Sequence, residues 1–232
     1  MAVTDAVLQA PRFRLLSQQI AYSLRRAILY GHYQPGDRLV EHEVATTLNV
    51  SRAPVRDALR QLVQEGLVTV FPHRGAVVTP VSVDIVHDVF DVRSRLEGLA
   101  ARLAATHIRP EELARAEALI EAMERSARAG EPGPQVEQDL EFHHVILTAS
   151  GRPVLTATME VATGKAGLLI SVTRRTAPLD LVPGIHKPII EALRSRDPDR
   201  AERAAQEHVE YGRSVLLSRF AAANGAVRTN QP

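Results

Sequence analysis

Between residues 35 and 78 the chain reads PGDRLVEHEVATTLNVSRAPVRDALRQLVQEGLVTVFPHRGAVV, and no other stretch limits the fold as much. Two short apolar-periodic segments are separated by a sharp turn and followed by two β-rich runs. Val44, Ala45 and Leu48 give a first short helix its buried face, and Asn49 accepts the left-handed backbone of a sharp helix exit. Ser51 is placed to cap a second helix, whose first turn tolerates Pro54 because an N–H there has no intrahelical partner. Val55, Leu59, Leu62 and Val63 recur at helical spacing and predict that helix's buried stripe. Leu67 to Phe71 and Ala76 to Thr79 then alternate as strands around Pro72-His73-Arg74-Gly75, a hairpin with a cation at its tip. Helix, turn, helix and hairpin in this order predict a winged helix-turn-helix.

Arg52, Arg56 and Arg60 recur every fourth residue on another side of the second helix. Arginines on one exposed face, starting at a helix N-terminus, suit a helix set end-on into the DNA major groove. The terminus favours phosphate, and guanidinium forks pair with guanine edges. An isolated helix with the same pattern is as often a solvated basic face. The neighbouring cationic hairpin favours the DNA reading.

The pattern PG-RL-E--VA--L-VSR-PVR-AL--L--EGLV----HRG--V resembles the DNA-binding domain of the GntR family of bacterial transcription regulators, across residues 16 to 79. Carried over by position, the resemblance places DNA contacts on Ser51, Arg52, Arg56, Arg74 and Gly75. Where some members have a further DNA-contacting arginine in the first short helix, this chain has His42.

At 232 residues the chain has room for about one further domain. Without cysteine it has neither disulfides nor thiolate metal sites, as suits a reducing cytosol. No apolar run approaches the ~18 residues of a membrane helix, and the expectation is a soluble cytoplasmic protein with no membrane partner. Net charge is only +1, but its distribution is uneven: residues 1–80 carry nine Arg or Lys against six Asp or Glu, and the rest nineteen against twenty-one. The basic excess lies where DNA binding needs it and is small, so affinity should rest on placed arginines and on two such domains acting together.

Residues 1–13 read as a loose tail, and Ile20, Leu24 and Ile28 predict a helix that completes the 14–79 domain. From Ser82 strand signals fade and Ala, Leu, Glu and Arg dominate, predicting an all-helical second domain over 80–222 and a mainly α protein. Helices are expected at 83–107, 110–129, 135–150, 154–172, from 184, and at 198–222, with a loop at 130–134, a connection at 176–183 and a loose tail at 223–232.

Asp139 and His143 lie four apart on one helix face, a spacing at which carboxylate and imidazole can share an ion. Val136, Leu140, His143 and Leu147 follow the buried period, His186 shares a face with Ile189, Ile190 and Leu193, and His208 falls on the row of Ala201, Ala205, Gly212 and Val215. One inward histidine is ordinarily a satisfied core residue. Three with an aspartate are costly to bury unless they share a partner, which a divalent metal ion supplies. Imidazole with carboxylate suits Zn²⁺, Ni²⁺ or Mn²⁺ alike.

This half resembles the FCD ligand-sensing domain of FadR-like GntR regulators. The resemblance implies metal ligands at Asp139, His143, His186 and His208 and a small carboxylate effector completing the coordination. VRSRLEGLAARLAA resembles that domain's first long helix and implies that Arg93 points into the effector cavity, against a plainer reading as a surface ion pair with Glu97. Together these readings imply a ligand-responsive regulator, a repressor by family habit, binding a pseudo-palindromic double-stranded operator as a homodimer. The rival is a metal-dependent enzyme acting on a small organic acid. No separate carboxylate is marked out as its general base, and it leaves residues 35–78 unexplained.

Overall fold

The structure is a computed structural model and describes residues 12–174 and 181–228. The order is α1 (Arg12–Leu29), α2 (Glu41–Thr47), α3 (Arg52–Gln64), β1 (Val68–Phe71), β2 (Gly75–Val78), α4 (Val83–His107), α5 (Pro110–Ala129), α6 (Pro132–Ala149), α7 (Pro153–Arg174), α8 (Leu181–Gly184), α9 (Lys187–Arg194) and α10 (Pro198–Arg228). The protein is thus mainly α, with a winged helix-turn-helix followed by a helical bundle.

Asn49, at φ 51°, turns the chain between α2 and α3. The exit there carries Leu48 outward, so that it is 39% exposed and only Val44 and Ala45 of the expected face are buried. Val55, Leu59 and Leu62 form the buried stripe of α3 with Ala58. Val63, about 100° round the helix from Leu62, is 37% exposed, contrary to the sequence expectation. Ser51 occupies the N-cap position without a side-chain capping bond, which leaves its hydroxyl uncommitted. β1 and β2 pair antiparallel from Val68↔Val78 to Phe71↔Gly75. The tip needs left-handed backbone at His73 (φ 61°) and Gly75 (φ 74°), and glycine meets the second at no steric cost. Leu39 N–H donates to the Ala76 carbonyl and Val78 N–H to that of Asp37, so the segment before α2 flanks the hairpin.

α4 starts at Ser82, whose hydroxyl accepts from Ile85 N–H at 3.3 Å. Its alanine row, Ala101, Ala104 and Ala105, packs with Ala201, Ala204 and Ala205 of α10, small side chains that let the two long helices run close. Ile120 and Met123 of α5, Phe142 and Ile146 of α6, and Ile189 and Leu193 of α9 complete this core. The expected loop at 130–134 is shorter: α6 already begins at Pro132, because proline fits a first helical turn, where its missing N–H costs nothing. α10 runs on to Arg228, past the expected end at 222. Residues 1–11 of the expected N-terminal tail, 229–232 of the C-terminal one, and 175–180 of the connection lie outside the described residues.

The two halves share a core. Val136 of α6 and Leu168 and Ile170 of α7 join Ile20, Leu24, Ile28 and Leu62 in one apolar cluster. Around it Arg26 Nε donates to Glu137 at 2.9 Å, Tyr30 Oη donates to the same carboxylate at 3.0 Å, and Arg25 pairs with Glu65. A side chain at Gly164 would overlap the Glu65 backbone carbonyl, so glycine is what allows α7 to approach the end of α3.

Candidate functional site

α6 places Asp139 and His143 one helical turn apart on its inner face, His186 sits at the N-cap position just before α9, and α10 contributes His208. One ligand atom from each of the four lies within 4.8 Å of the others. Asp139 and His186 are 1% and 0% exposed and His208 is 7% exposed. His186 Nε2 is 3.0 Å from Asp139 Oδ1, and His143 Nε2 is 3.9 Å from Asp139 Oδ2. The three rings are neighbours, with centroids 4.3 Å apart for His186 and His208 and 4.9 Å for His143 and His208. Phe142 sets an edge-on wall against His143 and His186.

His143 Nε2 and His208 Nδ1 are buried without a hydrogen-bond partner. Such nitrogens are costly unless something else satisfies them. Burial, with His186 and His143 beside it, pushes the His208 imidazole well below its ordinary value, so His208 is neutral near pH 7. Three imidazoles with one carboxylate, held in a buried cluster, match the donor set of a divalent transition ion, and the residues present fit one.

Arg93 is also buried, at 3% exposure, and its partner is not at the surface: Nε donates to Glu97 Oε1 at 2.6 Å, and Glu97 is 7% exposed. Burial alone would raise the Glu97 carboxyl, but Arg93 and His143 hold it well below the usual carboxylate range. The plainer alternative of a surface Arg93–Glu97 pair therefore fails in its placement, because both residues fall on the inward row with Phe90 and Ala101. Arg93, Glu97 and His143 line a cavity of about 80 Å³, whose remaining wall is largely apolar and includes Ala101, Leu140 and Leu147. Glu97 is the member of this centre that sequence reading did not single out. The signal was its place four residues after Arg93, on the buried period of α4. His144, next to His143, is exposed.

At the other end of the molecule His42, Ser51, Arg52, Arg56, Arg74 and Gly75 are all exposed. Arg52 and Arg74 have no side-chain partner among the described residues. Arg56 is held by Glu41 of α2, with Nε and Nη2 each 3.1 Å from a carboxylate oxygen. Arg60 pairs within its own helix with Asp57 at 3.2 Å. The N-terminus of α3 thus presents Ser51 and Arg52 freely and Arg56 in a position fixed by its neighbour helix.

The FCD domain profile matches residues 88–211, and the profile for bacterial regulatory proteins of the gntR family matches residues 16–78. A protein of Paenarthrobacter nicotinovorans named "Probable D-xylose utilization operon transcriptional repressor" is 29% identical over 214 residues, 91% of this chain and 92% of its own. The HTH-type transcriptional repressor RspR of Escherichia coli (strain K12) is 29% identical over 202 residues, 84% of this chain and 86% of its own. The solved structure of E. coli McbR/YncC shares the fold, with a TM-score of 0.78 at 22% identity over 88% of this chain and 98% of that one. No helix is long and apolar enough to cross a membrane among the described residues. With the FCD profile spanning more than half of the chain and the gntR profile covering its winged helix-turn-helix, the chain belongs to the GntR family of bacterial regulatory proteins and is a DNA-binding transcription regulator with an FCD domain, not an enzyme.

Proposed function

We propose that this regulator is a repressor that binds a pseudo-palindromic double-stranded operator as a homodimer and releases it when a small carboxylate enters the helical half. Asp139, His143, His186 and His208 would hold one divalent ion, Zn²⁺, Ni²⁺ or Mn²⁺. Arg93 would pair with the effector's carboxylate, and the ion would supply a Lewis-acidic position for the same group. Ser51, Arg52, Arg56, Arg74, Gly75 and His42 would face the operator. Two of the relatives bear repressor names, which supports the sign.

The observation that carries the reading is the convergence of four metal-type donors from three helices beside a small cavity walled by a buried arginine. Charge explains why metal and acid belong together. Without an ion, Arg93 is paired with Glu97, and Asp139 beyond His143 adds a second carboxylate, so an anion would enter a site already one charge negative. A divalent ion reverses the sign to one positive charge, which a monoanionic acid neutralises. The cavity is well below the roughly 300–1,000 Å³ of drug-sized pockets, which supports a small acid.

The route to DNA is short. α6 carries Asp139 and His143 on one side, and through Val136 and Glu137 it docks α1 of the winged domain. Leu140, between them, lines both the Arg93 cavity and a second cavity bounded by Arg25, Leu29 and Glu65. α4 carries Arg93 and follows the wing directly. A tenfold loss of operator affinity needs only about 1.4 kcal/mol of difference between liganded states. The test is a thermal-shift screen of small mono- and dicarboxylates on Zn²⁺-loaded and chelator-treated protein. Stabilisation by an acid only in the loaded protein is expected; equal shifts in both preparations would refute the proposal.

A further inference from the structure

We propose that Glu97 is a positioning residue for the metal centre: one oxygen fixes Arg93 at the cavity wall, and the other takes the Nδ1 side of His143, leaving His143 Nε2 for the ion. The inference rests on the metal reading above and assigns a residue outside its ligand set.

The geometry is that of a carboxylate shared between two tasks. Glu97 Oε1 accepts from Arg93 Nε at 2.6 Å, and Oε2 lies 3.0 Å from His143 Nδ1. That second contact is close but is not aligned as a hydrogen bond, and Oε2 has no other partner. With an ion held at Nε2, Oε2 would be the acceptor for the Nδ1–H. Across the ring, Nε2 faces Asp139 and has no hydrogen-bond partner of its own. An imidazole has one proton to place when neutral, and a carboxylate beside Nδ1 draws it there. The lone pair is then on Nε2, on the side of Asp139. Metal-ligating histidines usually donate their other N–H to such an outer carboxylate, and removing that partner typically costs 10–100-fold in metal affinity.

Burial argues that Glu97 does more than neutralise Arg93. A pair needing only mutual charge could stand at the surface, yet both residues are below a tenth exposed and sit between the cavity and His143. Phe90, one turn earlier on α4, packs under the Arg93 guanidinium at 5.2 Å, and Gly98 lets Gln206 of α10 lie against the helix one residue beyond Glu97. Glu97 therefore cannot leave His143 without disturbing Arg93, which ties the metal centre to the effector's anchor.

The experiment is Zn²⁺ titration of metal-free full-length protein against a chromophoric chelator, with long-range ¹H–¹⁵N spectra of the histidine rings. Wild type should take up one ion per chain and show His143 protonated on Nδ1 when metal-free. Glu97→Gln should raise the Zn²⁺ dissociation constant about 10–100-fold and shift His143 toward a mixture of tautomers. If Glu97→Gln fails to fold because Arg93 is left uncompensated, the double variant Arg93→Met/Glu97→Gln removes both charges and should show the same two changes. A dissociation constant within twofold of wild type, or an unchanged tautomer, overturns the role of Glu97 while leaving the metal site standing. Wild type that binds no Zn²⁺ overturns both.

Discussion

Removing His186 separates what its ring does as packing from what it does as a ligand. The ring is fully buried, 4.8 Å from Phe142 and 4.3 Å from His208 by centroids, with Nε2 3.0 Å from Asp139. His186→Ala leaves a cavity in a rigid core, and large-to-small core changes of this kind cost about 2–5 kcal/mol whether or not an ion is present. The ligand contribution behaves differently. An ion that binds the folded state at 1,000 times its dissociation constant stabilises it by about 4 kcal/mol. For a chain of this size that is a rise in Tm of roughly 8–16 °C. Differential scanning calorimetry of chelated and Zn²⁺-supplemented protein gives both quantities. We expect chelated His186→Ala to melt below chelated wild type, and Zn²⁺ to raise wild type strongly while moving the variant by a small fraction of that rise. An equal Zn²⁺ shift in the two proteins would place the ion elsewhere and refute the assignment.

On the DNA side, Arg52→Ala and Arg56→Ala should each weaken operator binding about 5- to 150-fold by anisotropy while leaving Tm nearly unchanged, since neither is buried; unaltered binding removes them from the reading head. Gly164→Val should drive α7 off the Glu65 carbonyl and cost about 1–3 kcal/mol, with the winged domain displaced, seen as a larger hydrodynamic radius and faster proteolysis between the halves. Stability of the metal-free protein should fall in acid. The folded-state pKa of His208 is depressed by burial, so below an unfolded value near 6.5 the unfolded chain binds more protons, and stability present above that pH is lost as pH falls. Glu97, also depressed, adds a second loss below its ordinary range near 4.5. His208→Gln should flatten the first of these slopes in Tm-against-pH data.

The winged domain was legible because each part has a local signature: apolar residues at helical spacing, Asn49 at the turn, and a glycine in the hairpin tip. The inward histidines were legible for the same reason, since a period of 3.6 says which side of a helix a residue occupies. Leu48 and Val63 misled because an apolar residue next to a buried row still rotates about 100° away from it. The Gly/Pro run at 130–134 read as a loop because proline breaks helices in their interior but not at their first turn. Least legible was the contact between the halves. Val136, Leu140 and Leu168 look like core residues of their own bundle, and no periodicity tells that α6 and α7 turn them toward α1. Glu97 was hidden for a related reason: a charged residue four after an arginine reads as a surface pair unless both are traced onto the buried row.

Coupling between metal, acid and operator is tested most directly by one titration: a fluorescent operator fragment with Zn²⁺-loaded and chelator-treated protein, each with and without the carboxylates that stabilise the loaded form. We predict at least a tenfold loss of operator affinity caused by an acid in the loaded protein alone, about 1.4 kcal/mol of coupling. Operator binding that no such acid changes, or that changes equally after chelation, would contradict it.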